Sequence, residues 1–250
     1  MSGLFDLTGR VAVVVGGSRG MGRSMCLALA GAGADVMVVS RRLESCVAVA
    51  EEIAATTGRR AVPYACHIGH WDEATALADA AYETFGRVDV LVNNAGMSPV
   101  YDNVAEVSEE LYDKVLAVNL KGPFRLTALV GTRMAAGDGG SIVFVSSVSS
   151  VRGGHGAIPY AAAKAGVNSL AVQFAHEFGP KVRVNCVMPG AFLTDIAKHW
   201  DPDEFARNSQ RYALRRGAQP DEIMGTILYL AGDASSYTTG AVIEVHGGHP

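Results

Sequence analysis

The sequence predicts an α/β protein built on a doubly wound, seven-stranded parallel sheet with helices on both faces. Three observations predict it. Runs such as Val11-Ala12-Val13-Val14-Val15 and Val36-Met37-Val38-Val39 are apolar at every position. That is the pattern of strands covered on both faces. These runs alternate with longer helix-like stretches along the whole chain, through short connections. The first run leads into a glycine-rich loop that opens a helix.

In order, Arg10 to Val15 reads as the first strand and Gly20 to Ala32 as a helix stopped by Gly33. Asp35 to Ser40 is a strand, and Leu43 to Thr57 a helix stopped by Gly58. Ala61 to Ala65 is a strand, and Trp71 to Phe85 a helix stopped by Gly86. Glycine just past a helix is the residue that tolerates the left-handed turn there. Val88 to Asn93 is the fourth strand, followed by helical stretches at Ser108 to Ala117 and Leu120 to Ala135. Ser141 to Ser146 is the fifth strand, with a helix around Tyr160 after it. Val182 to Met188 is a strand, Asp221 to Ala231 a helix and Ala241 to His246 the last strand. Ala191 to Pro220 lacks clear periodicity, and a stretch that long is usually functional in a compact domain.

The 250 residues, 49% hydrophobic and 18% charged, suit one large core better than two small ones. We expect a single domain over 1–250, with a substrate loop at about 191–220. The net charge of -4 is modest and the 21 basic residues are scattered. This argues against nucleic acid or an anionic membrane surface as partner. The four cysteines show no C-x-x-C spacing, which argues against zinc and redox motifs. No secretory signal or apolar span of about 20 residues is visible, so a cytoplasmic protein with free thiols is expected.

Gly16-Gly17-Ser18-Arg19-Gly20-Met21-Gly22 follows the first strand. Glycines at 16, 20 and 22 permit a tight turn and close approach of a pyrophosphate, and the helix N-terminus supplies amide donors. The second strand ends in Ser40-Arg41-Arg42, with no carboxylate to bind a ribose 2′-hydroxyl. Arginine there accommodates a 2′-phosphate, and Arg19 is placed to approach the same group. NADP, as NADPH in the reducing direction, is therefore expected in preference to NAD.

Tyr160 and Lys164 are four residues apart, on one face of a helix. An ammonium beside a phenol lowers its pKa toward neutrality, so that it can exchange a proton with an alcohol or carbonyl oxygen. Ser147 ends the preceding strand, thirteen residues before Tyr160, where it can hydrogen-bond the same oxygen. Tyr-x-x-x-Lys by itself is a weak signal; the other motifs give it meaning.

Gly16-x-x-x-Gly20-x-Gly22, Asn93-Asn94-Ala95-Gly96, Asn119, Ser147, Tyr160-x-x-x-Lys164 and Pro189-Gly190 with Thr194 occur together. With these motifs the chain resembles the short-chain dehydrogenase/reductase family over essentially its whole length. Within that family it looks most like NADP-dependent carbonyl reductases and 3-oxoacyl-carrier-protein reductases. The resemblance implies a Rossmann-like fold and a homotetramer. It implies that Tyr160 is the acid/base, that Lys164 lowers its pKa and holds the nicotinamide ribose, and that Ser147 orients the substrate oxygen. Asn119 would hold a water for proton relay. Asn94, Ala95 and Gly96 would lie by the adenosine ribose, with Asn93 stabilising the sheet. Pro189, Gly190, Phe192 and Thr194 would line the nicotinamide, and His67 and Ile68 the adenine. Two positions depart from the family pattern. Val15 stands where a threonine often braces the glycine loop, and Cys66-His67-Ile68 stands where an aspartate usually faces the adenine amino group. A metal at Cys66, His67 and His70 is disfavoured, because that segment borders the expected adenine pocket.

Ser98, Val148, Arg152, His155, Phe192, His199 and Trp200 are candidates for the substrate pocket. Their mixture favours a ketone or secondary alcohol with an apolar portion. Three readings stay open: an NADP-dependent ketone/alcohol oxidoreductase, a 3-oxoacyl-[acyl-carrier-protein] reductase, and a catalytically silent NADP-binding sensor.

Overall fold

The structure is a computed structural model that describes residues 2–154, 156–195, 197 and 201–250. Seven strands form one parallel sheet: β1 (Val11–Val15), β2 (Asp35–Ser40), β3 (Ala61–Ala65), β4 (Val90–Asn93), β5 (Gly140–Val145), β6 (Val182–Pro189) and β7 (Val242–Val245). Their order is β3-β2-β1-β4-β5-β6-β7. The chain works outward from β1 to β3, then crosses back to place β4 on the other side of β1. That reversal opens a crevice outside the carboxyl ends of β1 and β4, where open α/β sheets bind ligands.

β1 feeds two cores. Val13 and Val15 face the layer of α3 (Trp71–Phe85), α5 (Gly122–Ala136) and α6 (Ile158–Phe178). Ala12 and Val14 face the layer of α1 (Gly20–Gly31), α2 (Leu43–Thr57) and α8 (Met224–Ala231). This is why β1 is apolar at every position rather than at alternate ones. Gly58 and Gly86 end α2 and α3 with φ of 67° and 76°, the left-handed caps that the sequence predicts.

The differences from expectation have local causes. β4 begins at Val90, two residues later than predicted, and the buried Asp89 before it accepts the Val11 N–H on its carboxylate at 2.8 Å. The irregular segment contains a helix, α7 (Pro202–Ser209), started by Asp201, whose carboxylate caps the Glu204 N–H at 2.8 Å. Two predicted helix boundaries are wound differently from an α-helix. A turn of 3₁₀ helix over Pro220–Ile223 precedes α8. Between α4 (Glu109–Leu116) and α5, residues Ala117–Lys121 form a single π turn that contains Asn119. No described helix is long and apolar enough to cross a membrane.

Candidate active site

A cleft of about 530 Å³ runs along the carboxyl edge of the sheet. The turn after β1 forms one wall. Gly16 and Gly20 adopt φ of 81° and 51°. A Cβ on Gly16 would stand 2.7 Å from the Ala95 nitrogen, and one on Gly22 would collide with the Gly16 carbonyl oxygen. Asn94 Nδ2 donates to that same oxygen at 3.0 Å, tying the ends of β1 and β4 together. Arg19 supplies no side-chain cap to α1, so the amides of its first turn stay available at the cleft lined by Ser18, Arg19, Gly20, Met21 and Gly22. This wall fits a pyrophosphate, because side chains are excluded where the backbone must approach and amide donors converge there.

Ser40, Arg41 and Arg42 line the far end of the cleft, with His67 and Ile68 beside them. Arg19 Nη1 lies 3.3 Å from an Asp195 carboxylate oxygen, so it bridges the cleft as well as bordering it. The His67 ring stacks on His70 at 4.2 Å. Glu73 fixes both residues, accepting the His67 N–H and meeting His70 Nδ1 at 2.6 Å each. Burial, then the neighbouring His70, pushes the His67 pKa down. Among the described residues, no group of three or more His, Cys, Asp or Glu side chains is placed to hold a metal.

The other end of the cleft collects Ser147, Tyr160 and Lys164. The Ser147 hydroxyl lies near enough to the Tyr160 phenol to favour its ionised form. The Lys164 ammonium donates to the Val145 carbonyl at 2.7 Å and lies 5.7 Å from the Tyr160 ring centre. One expectation is corrected here. The Tyr160 pKa is raised rather than lowered, because burial outweighs the Ser147 hydrogen bond. Lys164 does not supply the expected reduction: its charge is directed at a carbonyl, and burial lowers its own pKa to about 8.

Asn119 does not line the cleft but lies directly behind it. It is fully buried, donates to the Met97 and Val115 carbonyls at 2.9 Å each, and accepts the Met97 N–H at 3.2 Å. The π turn carries Asn119, whose amide reaches back to the carbonyl four residues before it. A Cβ on Gly96 would be 2.9 Å from Asn119 Oδ1 and 3.5 Å from Lys164 Nζ, so only glycine keeps these groups this close.

Asn94, Ala95, Gly96, Pro189, Gly190, Phe192 and Thr194 all line the cleft, as do Ser98 and Val148. Arg152 does not. Its guanidinium turns away to bond the main-chain oxygens of His249 and Pro250, because two fixed acceptors suit its planar fork. His155, His199 and Trp200 lie outside the described residues. Tyr212, Asp195 and His249 also line the cleft; the first two fall in the expected substrate loop at 191–220, whereas His249 was not legible in the sequence. No periodicity or spacing marks it; long-range packing brings it there.

Comparison with known proteins fits this architecture. Residues 10–204 match the family described as short chain dehydrogenase. The chain is 36% identical over 247 residues to the 2-dehydro-3-deoxy-D-gluconate 5-dehydrogenase of Pseudoalteromonas atlantica, covering 98% of this chain and 97% of that protein. It is 31% identical to a 7α-hydroxysteroid dehydrogenase complexed with NADH and 7-oxo glycochenodeoxycholic acid, with a TM-score of 0.94, covering 100% of this chain and 97% of that one. It is also 31% identical to a 3-oxoacyl (acyl-carrier-protein) reductase from Agrobacterium tumefaciens C58 with NADP bound, with a TM-score of 0.93, covering 99% and 97%. The protein belongs to the short-chain dehydrogenase/reductase family, and is an oxidoreductase of the alcohol/ketone type.

Proposed function

We propose that this protein is an NADP-dependent oxidoreductase that interconverts a ketone and a secondary alcohol. One observation carries the reading. A proton-transfer group, Ser147-Tyr160-Lys164, shares a cleft with a phosphate-binding glycine turn and with Ser40-Arg41-Arg42, where no carboxylate opposes a 2′-phosphate. The bound dinucleotide would supply the hydride for the carbonyl carbon. Tyr160 gives its phenolic proton to the carbonyl oxygen and takes one back in the oxidative direction. Ser147 hydrogen-bonds that oxygen and fixes its distance from the phenol. Lys164 would hold the nicotinamide ribose hydroxyls, and Asn119 would order a water behind Lys164 that returns the proton. Arg41 and Arg42 would hold the 2′-phosphate, and His67 and Ile68 would border the adenine.

Reduction of a 3-oxoacyl thioester is the second reading, favoured by the likeness to the Agrobacterium tumefaciens enzyme. A silent NADP sensor is disfavoured by the complete set of Asn119, Ser147, Tyr160 and Lys164, which a sensor has no need to keep. The test is NADPH oxidation, followed by absorbance, across ketones, hydroxyketones and a 3-oxoacyl thioester. We expect turnover with NADPH faster than with NADH. NADPH binding without turnover on the whole panel would favour the sensor, and faster turnover with NADH would overturn the cofactor assignment. Light scattering of the purified protein tests assembly as a homotetramer.

A further inference from the structure

β7 runs parallel to β6, so the chain leaves it at the edge where β6 delivers Gly190 to the cleft. The residues after β7 turn back over the cleft, and their contacts explain how. His246 Nδ1 accepts the N–H groups of Gly248 and His249 at 3.1 and 3.0 Å. Its Nε2 pairs with Glu244. Gly248 has φ of 72°, and a Cβ there would collide with the Ala213 side chain. The close approach it permits lets Ala213 and Leu214 donate to the Gly248 and Gly247 carbonyls at 3.1 and 2.9 Å.

His249 is then fixed on every side. Its N–H is held by His246, and its carbonyl accepts Arg152 Nη2 at 3.2 Å. Arg152 Nε reaches the Pro250 main-chain oxygen at 2.9 Å. The Tyr212 ring packs on the imidazole with centroids 4.7 Å apart. His249 Nδ1 lies 2.9 Å from the Pro250 oxygen. That oxygen can only accept, so Nδ1 is the donor, and in that tautomer Nε2 is an acceptor. His249 and Tyr212 line the cleft that holds Ser147 and Tyr160. An acceptor immobilised in the cleft wall selects a ligand that brings a donor.

We propose that His249, held by Arg152, His246 and Tyr212, is a specificity-determining residue that accepts a hydrogen bond from a hydroxyl of the substrate. The substrate class is a hydroxylated ketone and the corresponding diol or polyol. The inference rests on the oxidoreductase reading above. Ser98 and Ser149, which line the same cleft, add donors and acceptors suited to such a ligand. Arg152 acts at one remove, as a positioning residue.

The test compares α-hydroxycyclohexanone with cyclohexanone in the NADPH-loaded protein. The wild type should favour the hydroxylated ketone. His249→Phe keeps a ring against Tyr212 but loses Nε2, and should reduce that preference about three- to tenfold, the worth of one neutral hydrogen bond. Arg152→Ala should give the same loss in KM rather than in kcat, partly restored in Arg152→Lys. An unchanged preference in His249→Phe overturns the proposal. If the wild type reduces neither ketone, the oxidoreductase reading fails separately. Calorimetric binding of the two ketones still decides the role of His249: the affinity contrast shrinks in the variant, or the proposal falls.

Discussion

The two ends of the cleft are built in different ways. At the glycine-loop end, the chain returns to the same place within one strand-helix-strand unit. Gly16 to Gly22 and Ser40 to Arg42 are neighbours in sequence and in space. At the Tyr160 end, the scaffold is local but the wall is not. Arg152 meets Pro250 across 98 positions and His249 across 97. A loop whose shape is dictated by glycines and a helix N-terminus leaves its mark on the sequence. A wall assembled from distant turns can use almost any residue that fits.

The difference teaches where change should matter for chemistry and where for selectivity. The largest effect is expected at the reacting centre. Tyr160→Phe should reduce kcat by at least about 10³-fold while NADPH affinity, read by fluorescence, stays within a few-fold. Retained turnover would place the proton donor elsewhere.

Lys164 sharpens the comparison through pH. Its pKa is lowered from 10.5 to about 8 by burial. Between these values the unfolded chain binds a proton that the folded chain does not, so this group makes stability rise with pH. The buried Cys26, Cys66 and Cys186, with raised pKa values, act in the opposite sense. The informative quantity is therefore the difference from Lys164→Met. The wild type should gain about 3 kcal/mol on that variant between pH 8 and 10.5, measured by urea unfolding without cofactor. A flat difference would show Lys164 to be protonated throughout.

Gly22→Ala tests the glycine-loop end, because its Cβ would collide with the Gly16 carbonyl oxygen. A loss of about 1–3 kcal/mol of stability, with weaker NADPH binding, is expected. A loop that absorbs this methyl without loss would not be the rigid cradle described. The smallest effect should come from Arg41→Ala. NADPH affinity should fall about tenfold, as expected for one charged hydrogen bond, with NADH affinity unchanged. Equal losses for both cofactors would separate Arg41 from the 2′-phosphate.

Most of the strands and helices follow from the sequence alone. β2, β3, α2 and α3 match their expected bounds residue for residue, because apolar runs and glycine stops act locally. The sequence also determined that Tyr160 and Lys164 share a helix face, since that is helical periodicity. Only the tertiary structure decided what those groups experience. Whether Lys164 points at the phenol or at the Val145 carbonyl depends on where β5 lies beneath α6. Whether Asn119 can turn behind the cleft depends on a π turn that no residue pattern announced. Arg152 looked like a pocket residue and proved to be a post for His249, because β7 ends at the same sheet edge as β6. Periodicity and turn chemistry are properties of neighbouring residues. Burial, the direction of a charge and the meeting of distant loops are properties of the packed whole.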